Sequence, residues 1–171
     1  MLRAIKTFIK DPPPTDNFEE LAPGLNVVEG TVRTADPIRS PVRGQGCVAF
    51  FYRSFLMIPN RQAPAIHKLK QAEVYTDFTL EMDGGKLEVQ TPKKAAFEHQ
   101  DHQALQKQYG SGFQGIEEIV MPGARVRIRG KAKKHGDRMI LKLKDIEVLD
   151  KQAVAAGVVE SRKTRRKKKK K

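Results

Sequence analysis

The chain has little cysteine, few aromatic residues and no long apolar run. Its one cysteine, Cys47, excludes an intramolecular disulfide and a cysteine-rich zinc site, and it favours a reducing compartment. With no tryptophan and only three tyrosines in 171 residues, the sequence offers few rings on which nucleic-acid bases stack. No apolar stretch approaches the ~18 residues of a transmembrane helix, and residues 1–10 lack the apolar core of a secretory signal. We therefore expect a cytoplasmic protein, with peripheral attachment to a membrane left open.

The motifs of common enzyme classes are also missing. The sequence has neither a glycine-rich phosphate loop nor a Gly-x-Ser-x-Gly nucleophile elbow. Cys47 begins the most apolar segment, which favours a buried inert thiol over a nucleophile. His99 and His102, flanked by Glu98 and Asp101, would share one helix face and permit a metal site, although a solvated start of a surface helix is the simpler interpretation. We expect a non-enzymatic protein without cofactor or metal, and whether the two histidines ever bind metal stays open.

Positive charge is plentiful but unevenly placed. The chain has 33 Lys and Arg against 20 Asp and Glu, a formal net charge of +13. Nine of the 33 lie in the last eleven residues, which leaves a body of 24 basic and 20 acidic residues. This tail can bind nucleic-acid phosphates or an anionic membrane without any fold, or it can serve only to keep the chain soluble. Its basic residues are Arg162, Lys163, Arg165, Arg166, Lys167, Lys168, Lys169, Lys170 and Lys171.

Hydrophobic periodicity predicts a mainly β protein. Alternation of period two begins at Leu25, residues 47–58 are almost continuously apolar, and residues 74–82 alternate like one half-buried strand. Gln100–Tyr109 is the best helix candidate. About six strands, with one helix before the final hairpin, favour a small antiparallel barrel like the oligonucleotide-binding (OB) fold. We expect an amphipathic helix and a proline spacer in residues 1–20, the barrel in residues 21–150, and a short helix (Lys151–Val159) with a disordered basic tail in residues 151–171.

Two hairpins have a predicted register. A Gly84-Gly85 loop places Met82 opposite Leu87, so that apolar residues meet on one face. In the second hairpin, a loop at His135 and Gly136 places Ile128 opposite Leu143 on the inner face.

The outer face of this second hairpin is basic. The same register places Arg129 opposite Lys142 and makes Arg127 face Lys144. Such like-charge pairs are mildly destabilising unless an anion or an acidic neighbour offsets them. The alternation slips by one beyond Lys144, which predicts a β-bulge. The face is therefore a candidate anion or nucleic-acid site, and neutralisation by acids of an adjoining strand is the open alternative. Its candidate residues are Arg125, Arg127, Arg129, Lys142 and Lys144.

Several segments together resemble one known family. Glu29–Val32, Pro37–Gly44 with its Ser-Pro-x-x-Gly pattern, and Cys47–Val48 are followed at the expected separation by Ile116–Gly123 and Val126–Gly130. This order resembles the GIDE domain, also called the beside-a-membrane domain, found in the mitochondrial ubiquitin ligase MULAN and its bacterial relatives. The resemblance covers about residues 25–149.

The resemblance implies an accessory barrel that binds protein near a membrane, with no catalytic residues to carry over. Family members typically have flanking transmembrane helices, and the ligase has a RING. This sequence shows a proline spacer and a lysine tail instead, so ubiquitin transfer is not expected.

Two functional hypotheses follow. The first is a non-catalytic module that binds an unidentified protein partner or a membrane-associated assembly, with the tail on an anionic surface of lipid or nucleic acid. The second is a nucleic-acid-binding barrel that uses the basic hairpin face and the tail. The sequence does not predict the oligomeric state.

Overall fold

The computed structural model describes residues 11–93 and 96–150, together with the backbone of residues 157–160. It contains eleven strands, one α-helix and a 3₁₀ turn at Phe18–Glu20 within these ranges. The elements are β1 (Gly24–Arg33), β2 (Ile38–Arg39), β3 (Gly46–Cys47), β4 (Ala49–Ile58), β5 (Ala65–Tyr75), β6 (Phe78–Met82), β7 (Gly85–Gln90), α1 (His99–Tyr109), β8 (Phe113–Val120), β9 (Arg125–His135), β10 (Arg138–Val148) and β11 (Gly157–Glu160).

Five strands close into a barrel in the order β1-β6-β7-β10-β9, with β9 pairing back onto β1. All neighbours are antiparallel except β7 and β10, which are parallel. When the barrel strands are numbered along the chain, this order is 1-2-3-5-4, the topology of the OB-fold. The predicted OB-like barrel is therefore confirmed. Strands β2 to β5 lie in the connection between its first two strands, and α1 with β8 lies between its third and fourth strands.

The barrel interior is filled by alternate residues of each strand, because successive side chains point to opposite faces of a sheet. Each strand contributes a fully buried aliphatic side chain: Val32, Leu80, Leu87, Ile128 and Leu141. Burying each such side chain stabilises the fold by about 1.5–3 kcal/mol.

A second sheet, in the order β11-β8-β4-β5, stands beside the barrel. Strand β4 has a partner on both sides and contacts both cores, with Phe51 against the barrel and Phe50 and Tyr52 in a second cluster with Phe97 and Ile119. This explains why residues 47–58 are almost continuously apolar, as expected of a central strand covered on both faces.

The prediction of one strand over residues 74–82 is wrong, because the chain passes there from β5 in the second sheet to β6 in the barrel. Thr76 donates from its backbone N–H to Val48 and from its hydroxyl to Asp36, at 2.9 and 3.0 Å. These bonds end β5 before β6 begins. Phe78 and Leu80 are nevertheless buried at alternate positions. The alternation of apolar and polar residues therefore continues across the break, and the sequence pattern does not reveal it.

The first predicted hairpin has a register two residues from the expected one. Met82 pairs with Gly85, so the loop is Asp83 and Gly84. Gly84 has a φ of +78°, a conformation that favours glycine. A side chain at Gly85 would lie 2.6 Å from the Phe18 ring, so glycine is required there for packing.

The segment before β1 lies along the barrel. Thr15 forms a parallel bridge with Val28, and its N–H donates to the carbonyl of Val27 at 3.0 Å. Val27 is only 1% exposed. We call residues 11–17 the N-terminal strap.

Some predictions fall at the ends of the chain. Gly157–Glu160 pairs with β8 as a strand, so the short helix expected to reach Val159 is wrong over these residues. Strand pairing with a distant segment outweighs the weak local helical pattern. The predicted amphipathic helix of residues 1–10 and the tail from residue 161 lie outside the described residues. No helix in the described part of the chain has the length and apolar character to cross a bilayer.

Candidate functional site

The arginines that point outward from β9 have acidic partners on the strands beside them. Arg127 donates from Nε and Nη2 to Oε1 of Glu29 on β1, at 2.8 and 2.6 Å. Its Nη1 lies 3.7 Å from Glu147, which takes the position opposite Arg127 that was predicted for Lys144. Arg125 lies 3.5 Å from the other oxygen of Glu29. Acids of the adjoining strands therefore neutralise this part of the row.

The predicted pairing of Arg129 with Lys142 is also wrong, because the hairpin turns elsewhere. Its loop is Gly136-Asp137, which slips the register by two residues, and the predicted bulge before Asp145 is present and shifts it by one more. Asp145 consequently lies opposite Arg129, with 3.5 Å between its carboxylate and Nη1. Arg129 also donates two hydrogen bonds to Asp11, at 3.1 and 2.9 Å. Arg129 thus joins the strap to the barrel.

A different basic group remains nearer the tip of the same hairpin. Lys131, Lys133, Lys142 and Lys144 are all exposed, and none of them forms an ion pair among the described residues. We call these four the lysine surface. Sequence reasoning selected Lys142 and Lys144 but missed Lys131 and Lys133, although the alternation of basic residues along β9 continues through them.

The groove where OB-folds commonly hold ligands, next to barrel strands two and three, has a different character. It encloses about 630 Å³ between β6, β7 and the ends of the connection between β1 and β6. Its ionisable lining residues are Asp36, Asp77, Glu88 and one arginine, Arg33. Its one aromatic ring, Phe78, is buried in the barrel core. Neither its charge nor its rings suit an oligonucleotide.

Glu117 on β8 holds the loop that contains the Ser-Pro-x-x-Gly pattern. Its carboxylate is fully buried and accepts hydrogen bonds from the Ser40 hydroxyl and from the backbone N–H groups of Val42 and Arg43, at 3.0, 2.8 and 3.0 Å. Sequence reasoning did not assign this role to Glu117, because the link joins residues 77 positions apart. The carboxylate therefore acts as a structural acceptor.

The two histidines of α1 also contact the fold. His102, which is 5% exposed, shares a 3.0 Å hydrogen bond between Nδ1 and the Tyr52 hydroxyl. Burial, together with nearby His99, lowers the pKa of His102, whereas the charge of Glu117 partly opposes this. His99 Nδ1 lies 2.6 Å from the carbonyl oxygen of Pro41. The interpretation of this segment as a solvated surface is thus wrong for His102.

Metal binding has little geometric support at these histidines. Their ring centroids lie 6.4 Å apart, and the planes of the two rings are tilted by 38°. Among the described residues, no three His, Cys, Asp or Glu side chains are grouped as metal ligands.

The predicted buried thiol is confirmed. Cys47 is 0% exposed, and burial, with the nearby charge of Glu117, raises its pKa to about 12. A thiol with this pKa is protonated at neutral pH and is a poor nucleophile.

The large hydrophobic residues that are exposed in the described chain lie on the second sheet. Ile58 and Ile66 are 43% and 62% exposed, at the end of β4 and the start of β5. We call the hairpin of these two strands, residues 49–75, the arm. Its strand β5 is an edge, because no described strand pairs with its outer side. Sequence reasoning missed β5 because Lys68, Lys70 and Gln71 make the segment polar.

Comparisons with known proteins do not assign the chain to a family. No protein-family model, no curated protein and no solved structure matches the chain. The resemblance to the GIDE domain therefore stays a prediction, and the fold stands on its own topology.

Proposed function

We propose that this protein is a non-catalytic interaction module whose arm binds an extended segment of a partner protein. The observation that carries the proposal is the edge strand β5, which is eleven residues long, with Ile66 exposed near its start and Ile58 exposed beside it at the end of β4. An open edge offers backbone N–H and C=O groups to an added strand, and exposed apolar side chains beside it offer contacts that select the partner.

The charge of the arm indicates the chemistry of that partner. Lys68 and Lys70 are exposed on β5 and form no ion pair among the described residues. A register shift after Ser54 also interrupts the pairing of β5 with β4. Lysines and bulges on an edge strand discourage indiscriminate strand pairing. They favour a partner segment that carries acidic side chains together with apolar ones.

The interior of the fold supports a non-catalytic function. The buried ionisable groups hold structure together: Glu117 fixes a loop, His102 bonds to Tyr52, and the Cys47 thiol lies within the second core. A catalytic group must reach its substrate, and these side chains are enclosed.

The polybasic tail completes the proposal. Nine basic residues would add affinity for an anionic surface at up to about 1 kcal/mol each near a membrane. We propose that the tail localises the module, peripherally at a membrane or on another polyanion, while the arm selects the partner.

The proposal is tested by the affinity of a partner for arm variants. A protein captured with the full chain is purified, and its dissociation constant is measured against wild type and Ile58→Ser/Ile66→Ser. The exposed portions of the two isoleucines together amount to roughly one whole side chain, so their loss should weaken binding by about 1.5–3 kcal/mol, or roughly 10- to 150-fold.

Two further measurements make the test specific to the arm. Lys131→Gln/Lys142→Gln changes the other exposed surface and should leave the partner's affinity unchanged. Hydrogen exchange of β5 backbone amides should slow in the complex. Equal affinity of the isoleucine variant and wild type, with unchanged exchange along β5, would refute the assignment of the arm.

A further inference from the structure

The β9–β10 hairpin is divided into two parts of different charge character. Toward the barrel, Arg127 and Arg129 are held by carboxylates on the strap, β1 and β10. Past the bulge before Asp145, the lysine surface begins and carries no carboxylate partner among the described residues. Four positive charges thus remain available at one end of the hairpin.

The positions of these lysines concentrate their charge. Lys131 lies directly opposite Lys142, where side chains of paired strands are about 4.5–5.5 Å apart at Cβ. Lys133 follows Lys131 on the same face after about 6.6 Å of strand. The strands on either side offer no acid in register, because Lys131 pairs with Leu25 on β1 and Lys142 with Gln90 on β7.

The acids of β7 and of the hairpin are paired with arginines or lie at the hairpin tip. Glu88 on β7 is bonded to Arg138 at 3.0 Å, and Asp145 to Arg129. Asp137 lies in the loop. Like charges placed opposite each other are destabilising, so an anionic ligand would offset a cost that the fold otherwise carries.

The surroundings of the lysine surface favour nucleic acid over lipid. The two large hydrophobic side chains exposed in the described chain, Ile58 and Ile66, belong to the arm, so this hairpin has no exposed apolar wedge to enter a bilayer. The hairpin joins the fourth and fifth strands of an OB-fold barrel, a connection that contacts oligonucleotides in this fold class. A two-stranded ribbon also fits the major groove of a duplex.

We propose that the lysine surface binds the phosphodiester backbone of nucleic acid. Lysine contacts a phosphate as a point charge and reads no base, and the neighbouring groove offers no exposed ring for stacking. Binding is therefore independent of sequence and sensitive to salt. The proposal goes beyond the protein contact of the arm and depends on different residues.

The test compares two double variants of the full chain that lose the same charge. Lys131→Gln/Lys142→Gln changes the lysine surface, and Lys68→Gln/Lys70→Gln is the matched control on the arm. Affinity for a labelled oligonucleotide of mixed sequence, single-stranded and duplex, is measured by fluorescence anisotropy across salt concentrations. The tail is present in all proteins and contributes equally.

The expected result is a selective loss at the lysine surface. Losing two phosphate contacts should weaken binding roughly 20- to 60-fold at 0.1 M salt relative to the matched control, and should lower the salt slope by about 1.4 for single strands or 1.8 for duplex. Lys131→Arg/Lys142→Arg should restore binding, because arginine also pairs with phosphate. An oligonucleotide of another sequence should bind equally.

Three outcomes would overturn the proposal. Equal weakening by both double variants would assign binding to net charge and the tail. Failure of the arginine variant to bind, with an unchanged unfolding midpoint, would show that positive charge at these positions is not what binds. A greater loss of binding to phosphatidylserine vesicles than to the oligonucleotide would identify lipid as the ligand. None of these outcomes bears on the affinity of the arm for its protein partner.

Discussion

Replacing Glu117 with glutamine should destabilise the whole fold, although the change preserves the shape of the side chain. The carboxylate accepts three hydrogen bonds in a site with no exposure to solvent. An amide has one oxygen, and its NH₂ group would face at least one of the donors from Ser40, Val42 and Arg43. That donor loses a charge-assisted bond and stays buried, while the other two bonds become neutral ones.

The magnitude of the loss follows from these three bonds. A hydrogen bond to a charged acceptor contributes about 1.5–3 kcal/mol, a neutral bond about 1, and an unsatisfied buried donor costs about 1–3. The free energy of unfolding should therefore fall by roughly 3–5 kcal/mol. Because a domain is stabilised by only about 5–15 kcal/mol, this change should lower the urea midpoint by about 2 M.

The assay is equilibrium unfolding in urea, with Glu88→Gln as the matched control. Glu88 is bonded to Arg138 on the surface, so its replacement should cost about 1 kcal/mol or less. Backbone amides of Val42 and Arg43 should exchange faster in Glu117→Gln than in wild type. If the two variants unfold at the same midpoint and these amides stay protected, Glu117 does not hold the loop.

Three other predictions concern single side chains. The pKa of His102 is lowered in the fold, so its imidazole binds protons more readily in the unfolded chain. Its contribution to stability is therefore complete above the usual pKa near 6.5 and declines as the pH falls below that value. The free energies of unfolding of wild type and His102→Gln, measured across pH, should converge in acid. Cys47, with a pKa of about 12, should resist a thiol reagent at pH 8 until denaturant is added, and rapid labelling of the native protein would contradict its burial. Arg129→Gln should lower the free energy of unfolding by about 2 kcal/mol, because it breaks the half-buried ion pair with Asp11. Lys142→Gln should leave the free energy of unfolding unchanged or raise it slightly, because it removes a like-charge pair with Lys131. The reverse order would refute the charge assignment of the hairpin.

The faces of the strands could be predicted from the sequence, but their registers could not. Both hairpins pair two residues away from the expected position, and a shift of two returns each side chain to the same face because the repeat of a strand is two. Ile128 and Leu143 therefore fill the core as expected although they are not opposite each other. The same shift, with the bulge, replaced Lys142 by Asp145 opposite Arg129.

The contacts that matter most for the candidate site depend on tertiary structure. Glu117 meets Ser40 across 77 residues, and Arg129 meets Asp11 across 118. No local pattern marks such pairs. The edge strand β5 was missed because its position in the sheet, rather than its hydrophobicity, makes it a strand.

The N-terminal strap moves the beginning of the folded unit toward the start of the chain. A protein that began at residue 21 would keep every barrel strand, yet it would lose the bridge between Thr15 and Val28 and leave Arg129 without Asp11. The proline-rich stretch that looks like a linker between modules is therefore part of the domain. Proteases that cut linkers should spare residues 13–17 in the native protein, and a fusion partner should be joined before Asp11.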